Sequence, residues 1–171
     1  MPDPTGAGVR LRPWRADDLP LLVAANSPEM TAYLGGPESE DAVRARHEKY
    51  LRFVARPDAG IAAVELDGVA VGGVNWWSSE WEGAPVTEMG WFVVPAVQGR
   101  RIASTAVRLA VADAGDRAVH RRVVAFPAVE NAPSNRVCAA AGFVRRGEAD
   151  LPYRDTVLHA AVWELDLDAS I

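Results

Sequence analysis

The chain has 171 residues, which fits one domain with a core large enough to fold without disulfides or a metal. Its 23 acidic residues against 18 basic ones give a net charge of −5, so it lacks the basic footprint of a general nucleic-acid binder or of a protein drawn to anionic membranes. The one cysteine, Cys138, excludes a disulfide framework and a cysteine-based zinc site, and no other motif implies a metal.

Residues 1–7 are rich in Pro and Gly and read as a loose N-terminus, with a single domain over 8–171. Val9–Trp14 alternates apolar and basic residues, the pattern of a strand. Asp17 and Asp18 then offer a helix cap, and Pro20 suits the first turn of a helix carrying Leu19, Leu22 and Val23 on one face. Ser39-Glu40-Asp41 starts a second helix, on which Val43, His47, Tyr50, Leu51 and Val54 recur at spacings of three and four. Ile61–Leu66 and Val69–Trp77 read as strands of a hairpin turning at Asp67-Gly68. Ser78–Pro85 reads as a loop, and Val86–Val94 as a third strand of this group, stopped by Pro95. Ile102–Gly115 carries an apolar stripe at helical spacing. Arg121–Phe126 is a strand, and Asn131–Ala141 a helix with a cap-like Asn131, Pro133 in its first turn and Gly142 past its end. Phe143–Gly147 and Thr156–Leu167 complete the set. This β-α-α-β-β-β-α-β-α-β-β order predicts an α/β (mixed α+β) fold, one mixed sheet with helices on both faces.

The opening residues do not form a basic region followed by an apolar run, and uncharged stretches such as Gly68–Ser79 fall short of the ~20 residues of a membrane helix, so the expected location is the cytoplasm.

The chemistry concentrates where the strand ending Val93-Val94-Pro95 meets the helix starting at Ile102. The first amides of a helix lack internal partners and carry the positive end of its dipole, which makes such a junction a site for a phosphate. Gly99 and Ala103 let a ligand approach the backbone, while Arg100 and Arg101 add charge. No Gly-rich run ends in Gly-Lys-Ser/Thr and no Gly-x-Gly-x-x-Gly follows the first strand, so a mononucleotide or dinucleotide fold is not indicated.

Gln98-Gly99-Arg100-Arg101-Ile102-Ala103 resembles the acetyl-CoA signature of the GNAT N-acetyltransferases, Gln/Arg-x-x-Gly-x-Gly/Ala. Glu88–Pro95 resembles that family's central strand, and Asn131–Val137 closing with Ala141-Gly142-Phe143 resembles the second cofactor motif of its RimJ/RimL-like branch. One position departs: Arg101 stands where the signature has its first glycine, and a positive φ there would disfavour an arginine. The resemblance implies a mostly antiparallel sheet of about seven strands, with acetyl-CoA as cosubstrate and direct acetyl transfer to a primary amine. It implies cosubstrate contacts from Phe92, Val93, Val94, Gln98, Gly99, Arg100, Arg101, Ile102, Ala103, Ser104 and Asn131. Glu88 is then the expected base and Ser134 the expected acid for the leaving thiolate, since the position where many members carry a tyrosine acid is Cys138. His47, His120 and His159 read as helix-face, turn and strand residues without catalytic roles.

Four of six tryptophans fall between Trp76 and Trp91, and the acceptor is expected among Tyr33, Trp76, Trp81, Trp91 and Tyr153, where the first helices and last hairpin meet the central strands. Trp76 and Trp77 must face opposite sides, so at most one of them lines that surface. The expected acceptor is a protein N-terminal α-amine or a peptide-like amine. The alternatives are a small-molecule amine (an aminoglycoside or a polyamine) or a non-catalytic acyl-CoA-binding module, and a homodimer is compatible with the resemblance.

Overall fold

The computed structural model describes residues 8–117 and 120–168; the expectation for residues 1–7 lies outside them. In chain order the elements are β1 (Val9–Pro13), α1 (Leu19–Ala25), α2 (Glu40–Phe53), β2 (Ala59–Leu66), β3 (Val69–Trp81), β4 (Ala84–Val93), α3 (Ile102–Asp116), β5 (Arg122–Ala125), α4 (Ala132–Ala140), β6 (Val144–Tyr153) and β7 (Thr156–Asp166). The strands form one seven-stranded sheet, ordered β1-β2-β3-β4-β5-β7-β6. Among the described residues only β4 and β5 run parallel; every other pair is antiparallel. No helix among the described residues is long and apolar enough to cross a membrane.

Side-chain alternation along the strands builds two cores. One lies beneath α3 and α4 and gathers Val74, Trp76, Met89, Val93, Val107, Val123 and Cys138. The other lies beneath α1 and α2 and gathers Trp14, Leu22, Val43, Phe53, Ile61 and Ala63, with Trp77 and Phe92 packed against it. A strand residue therefore belongs to one helix layer or the other, and its neighbour in sequence to the opposite layer.

Two-residue turns set the hairpin registers. Asp67 (φ 51°) and Gly68 (φ 84°) are both left-handed, the geometry that matches the twist of the flanking strands. Glu82 (φ 50°) and Gly83 (φ 73°) repeat this between β3 and β4. Residues 78–85 are therefore not a loop: β3 continues to Trp81 and β4 resumes at Ala84, with Glu80 opposite Pro85. Pro85 gives a breaker signal at a position where the ladder tolerates it. The last hairpin is also longer than its sequence pattern suggests, since β6 passes a break in register between Arg145 and Gly147 and runs on to Tyr153.

At the start of α1 the aspartates act differently from the expected cap. The Asp18 carboxylate makes no cap bond to α1. Instead it accepts from Arg12 Nη1 and Nη2 (2.8 and 2.7 Å) and from the Arg15 amide (2.8 Å), while Arg12 Nε donates to Glu65 (2.7 Å). This ties β1, β2 and the entry to α1 together. On α2 the Ser39 hydroxyl caps as expected, accepting from the Ala42 amide at 3.2 Å. The buried His47 accepts from Trp14 Nε1 through its Nδ1 (3.1 Å), a packing role between β1 and α2.

Candidate active site

The site begins where β4 and β5 part. They pair only at Thr87–Val123 and Glu88–Val124. Beyond that level β4 stays with β3, while residues 127–129 stay with β7: Ala161 N–H donates to Pro127 O (2.8 Å) and Val129 N–H to His159 O (3.0 Å). A wedge-shaped gap opens along the last five residues of β4.

The ladder decides which backbone groups line that gap. Val94 N–H donates to Val71 O (2.8 Å), and Val94 O accepts from Val97 N–H (3.2 Å). By the two-residue alternation of an antiparallel ladder, Phe92 turns its N–H and C=O to β3, and Trp91 and Val93 turn theirs to the gap. Of Phe92, Val93 and Val94, Val93 turns its backbone groups to the gap, together with Trp91. The Gln98 side chain donates to Val93 O (2.8 Å), so this residue ties the strand end to the loop.

The loop then bends twice through the left-handed region, at Gly99 (φ 78°) and at Arg101 (φ 57°, ψ 14°), before α3 begins. The backbone bend that the family signature obtains from glycine is kept here by an arginine, at a steric cost. No side chain caps α3. Arg101 O receives the first helical bond, from Thr105 N–H (3.1 Å), and also the Ser104 hydroxyl (3.0 Å), which leaves the amides of residues 102–104 outside the helical ladder. Space over Gly99 is open: a Cβ there would meet nothing within 4 Å. Ile102 is buried in the core and anchors the helix start, whereas Ala103 is half-buried and Arg100 and Arg101 are exposed. An uncapped helix end, open space beside it and two arginines fit a pyrophosphate-bearing ligand.

Across the gap, Asn131 caps α4 by accepting the Ser134 amide on its Oδ1 (3.2 Å). Ser134 is half-buried in the first turn. Asn135, which sequence reasoning missed, organises this corner. Its Nδ2 donates to Ala128 O (2.9 Å) and Asn131 O (2.8 Å), and its Oδ1 accepts from Trp163 Nε1 (2.8 Å). Cys138 is fully buried, and burial pushes its thiol up to about 12, which makes it inert at neutral pH.

Glu88 sits at the closed end of the gap, half-buried, opposite Trp77 on β3. Burial raises its carboxyl above the ordinary carboxylate range, while a hydrogen bond from Ser79 and the charge of Lys49 on α2 partly lower it. Strand alternation puts Trp77, Phe92 and Glu88 on the face covered by α1 and α2.

The expected acceptor residues separate accordingly. Trp76 is 2% exposed and lies in the α3-side core, with the Arg117 guanidinium 5.1 Å above its ring, so it cannot reach an acceptor. Trp91 also turns its ring to the α3-side core. Strand parity thus turns both to the α3 side, and it is Trp77 that lies on the face of Glu88. Trp81 is a strand residue packed on Phe126 (ring centroids 4.9 Å apart), and Glu82 of that turn pairs with Arg122 (3.3 Å). Tyr33 and Tyr153 do come together, in a cleft of about 330 Å³ also lined by Ala128, Glu130, Val157 and His159. Arg154, at the tip of the last hairpin, holds the wall of this cleft by donating to Leu34 O and Gly36 O (both 3.2 Å) and pairing with Glu38. Among the described residues no group of His, Cys, Asp and Glu is arranged to hold a metal ion.

The family described as "Acetyltransferase (GNAT) domain" matches residues 9–144. The chain belongs to this family. A comparison with curated proteins finds no match. Among solved structures, the fold is similar to the aminoglycoside acetyltransferase AAC(6')-Ib in complex with coenzyme A, at TM-score 0.78 and 20% identity over 94% of this chain and 96% of that one. It is similar also to Mycobacterium smegmatis RimJ in complex with CoA-disulfide (TM-score 0.78, 20% identity, 98% and 85% covered). A third is RimL, a ribosomal protein α-N-acetyltransferase, in complex with coenzyme A (TM-score 0.77, 16% identity, 98% and 99% covered). This GNAT acetyltransferase takes its acetyl group from acetyl-CoA.

Proposed function

We propose that this GNAT acetyltransferase acylates the α-amine of a protein N-terminus or a peptide-like amine, with Glu88 as the base. The observation that carries the reading is the place of Glu88: a half-buried carboxylate at the last paired residue before β4 leaves β5. An α-amine has a pKa of ~8 and arrives mostly as the ammonium, so a proton must be removed before attack. The Glu88 carboxylate accepts it, directly or through one water, and burial moves its pKa towards the working pH as a base requires.

Bound acetyl-CoA supplies the activated acetyl group. The α3 amides with Arg100 and Arg101 suit its pyrophosphate, and the outward N–H groups of Trp91 and Val93 suit its arm and carbonyl. In this reading Ser134, half-buried in the first turn of α4, donates a hydrogen bond to the departing sulfur. Asn131 holds that turn through its cap and contributes its remaining amide group to the same ligand.

The test is thiol release from acetyl-CoA with a panel of amines: a serine-initiated peptide, an aminoglycoside and a polyamine. The peptide is expected to give the highest kcat/KM. Preference for either small amine would replace this acceptor by the other class, and CoA binding without turnover of any amine would remove the catalytic reading.

A further inference from the structure

Of the 18 Lys and Arg residues only Lys49 is a lysine. This acetyltransferase therefore carries a single side-chain amine of its own, because a guanidinium stays protonated and does not attack an acyl group. Lys49 is an exposed residue of α2. Its Nζ stands 5.3 Å from the centroid of the Phe53 ring. Phe53 belongs to the core beneath α1 and α2, Trp77 packs against that core, and Trp77 is the β3 partner of Glu88. The amine and the carboxylate thus share one face of the sheet, and the charge of Lys49 acts on Glu88.

The neighbouring cations are committed elsewhere. Arg44 pairs with Glu40, Arg46 with Glu38, and Arg56, just past the helix, with Asp58. Among the described residues Lys49 enters no such ion pair, and its flexible stem lets the Nζ swing away from the Phe53 ring. Around Glu88 the polar neighbours are Ser79 of β3, which donates a hydrogen bond to it, and Lys49; Trp77 of β3 and Val124 of β5 flank it as apolar groups. Lys49 is the one cation that acts on this carboxylate, and it is also the one residue type whose charge an acetyl group removes.

We propose that Lys49 is a self-acetylation site: without an acceptor, its amine takes the acetyl group from acetyl-CoA bound to the same molecule, and the neutral product switches off the positive charge beside Glu88. This rests on the reading of Glu88 as the base. Glu88 takes one proton from the ammonium, directly or through a water, and passes it to solvent. The Nζ lone pair then attacks the acetyl carbonyl carbon. A C–N bond forms, the thioester C–S bond breaks with its electron pair on sulfur, and the thiolate takes the second nitrogen proton. The products are Nε-acetyl-Lys49 and the free thiol of CoA. Glu88 then lacks the cation that favours its charged form, so the enzyme is a poorer catalyst on the acid side.

The experiment incubates the full chain with acetyl-CoA and no amine, and follows one added acetyl mass on the peptide that contains Lys49. Acetylation is expected with a first-order rate constant independent of protein concentration, and about 100-fold slower in Glu88→Gln. With a serine-initiated peptide as acceptor, Lys49→Gln should move the acid limb of kcat/KM to higher pH, whereas Lys49→Arg keeps the charge, takes no acetyl group and retains the wild-type limb. Four results would each overturn the inference: no acetyl group on Lys49 while the same preparation turns over the peptide, an equal rate in Glu88→Gln, a rate constant that scales with protein concentration, or an unmoved limb in Lys49→Gln. Each of them leaves Glu88 as base for the acceptor intact. Absence of turnover with every amine, with acetyl-CoA bound, would overturn the acylating reading itself and this inference with it.

Discussion

Trp76 and Trp77 are adjacent on β3 and belong to different cores: Trp76 is sealed beneath α3 with Arg117 over its ring, and Trp77 lies on the α2 side directly opposite Glu88. Substitution should separate the two roles. Trp76→Ala is expected to cost about 3–5 kcal/mol of stability, as for other large buried aromatics. Trp77→Ala is expected to destabilise less and to raise KM for the acceptor amine, with little effect on Kd for acetyl-CoA. Denaturant unfolding and steady-state kinetics on both variants check this.

Glu88→Gln is expected to lower kcat by about 100-fold or more, the usual worth of a general base, with acetyl-CoA affinity retained by calorimetry. In the wild type, kcat/KM should fall on the acid side at a pH above the ordinary glutamate range, because burial raises the Glu88 pKa. Ser79→Ala removes one of the two influences that lower it and should move that limb to higher pH. The stability sign follows from the same direction. A carboxyl raised in the folded state releases its proton first in the unfolded chain, so stability declines as pH rises from the unfolded to the folded pKa. Glu88→Gln should therefore be more stable than the wild type at neutral pH while being less active.

Arg101 occupies the left-handed region with φ 57°. Glycine is free of the Cβ penalty there, so Arg101→Gly is expected to gain about 1 kcal/mol, a Tm rise of roughly 2–4 °C for a chain of this size. Arg101→Ala keeps the Cβ and should show no such gain. Calorimetric melting of both variants without ligand reads the difference.

For Asp18, burial pushes the carboxyl up, but the paired Arg12 guanidinium and the Arg15 amide outweigh this and hold it below the usual carboxylate range. Its contribution is complete above the unfolded aspartate pKa of ~3.9 and is lost as pH falls through the lower folded value. Asp18→Asn leaves Arg12 without its main partner in a nearly closed site and is expected to cost about 3 kcal/mol at neutral pH. Its stability should also depend less on pH below ~4, measured by urea unfolding across the acid range.

Most of the fold is legible from local signals. Asp67-Gly68 marks its hairpin, Ser39 its helix start, and the three- and four-residue spacing over 102–115 its amphipathic helix. The hairpin at Glu82-Gly83 was hidden because Pro85 and a polar run imitate a loop. That omission carried into the site. Once the turn is placed, counting back sets Trp77, and not Trp76, opposite Glu88. The strand-to-helix junction after β4 was legible because a strand end, a glycine and a helix start are contiguous in sequence. Asn135 and Arg154 were not, since their partners Trp163, Leu34 and Gly36 are distant in the chain and meet only through the topology.

The brief pairing of β4 with β5 has a mechanical consequence. One flank of the sheet, β1 to β4, is stitched to the other, β5, β7 and β6, by a seam at Thr87–Val123 and Glu88–Val124, with the rest of the join left to helices. A ligand lodged in the gap would act as a second row of stitching, bonded to β4 on one side and to the 127–135 corner on the other. The seam amides should then be a sensitive strain gauge for occupancy, exchanging with solvent more slowly whenever the gap is filled, even though no ligand atom touches them.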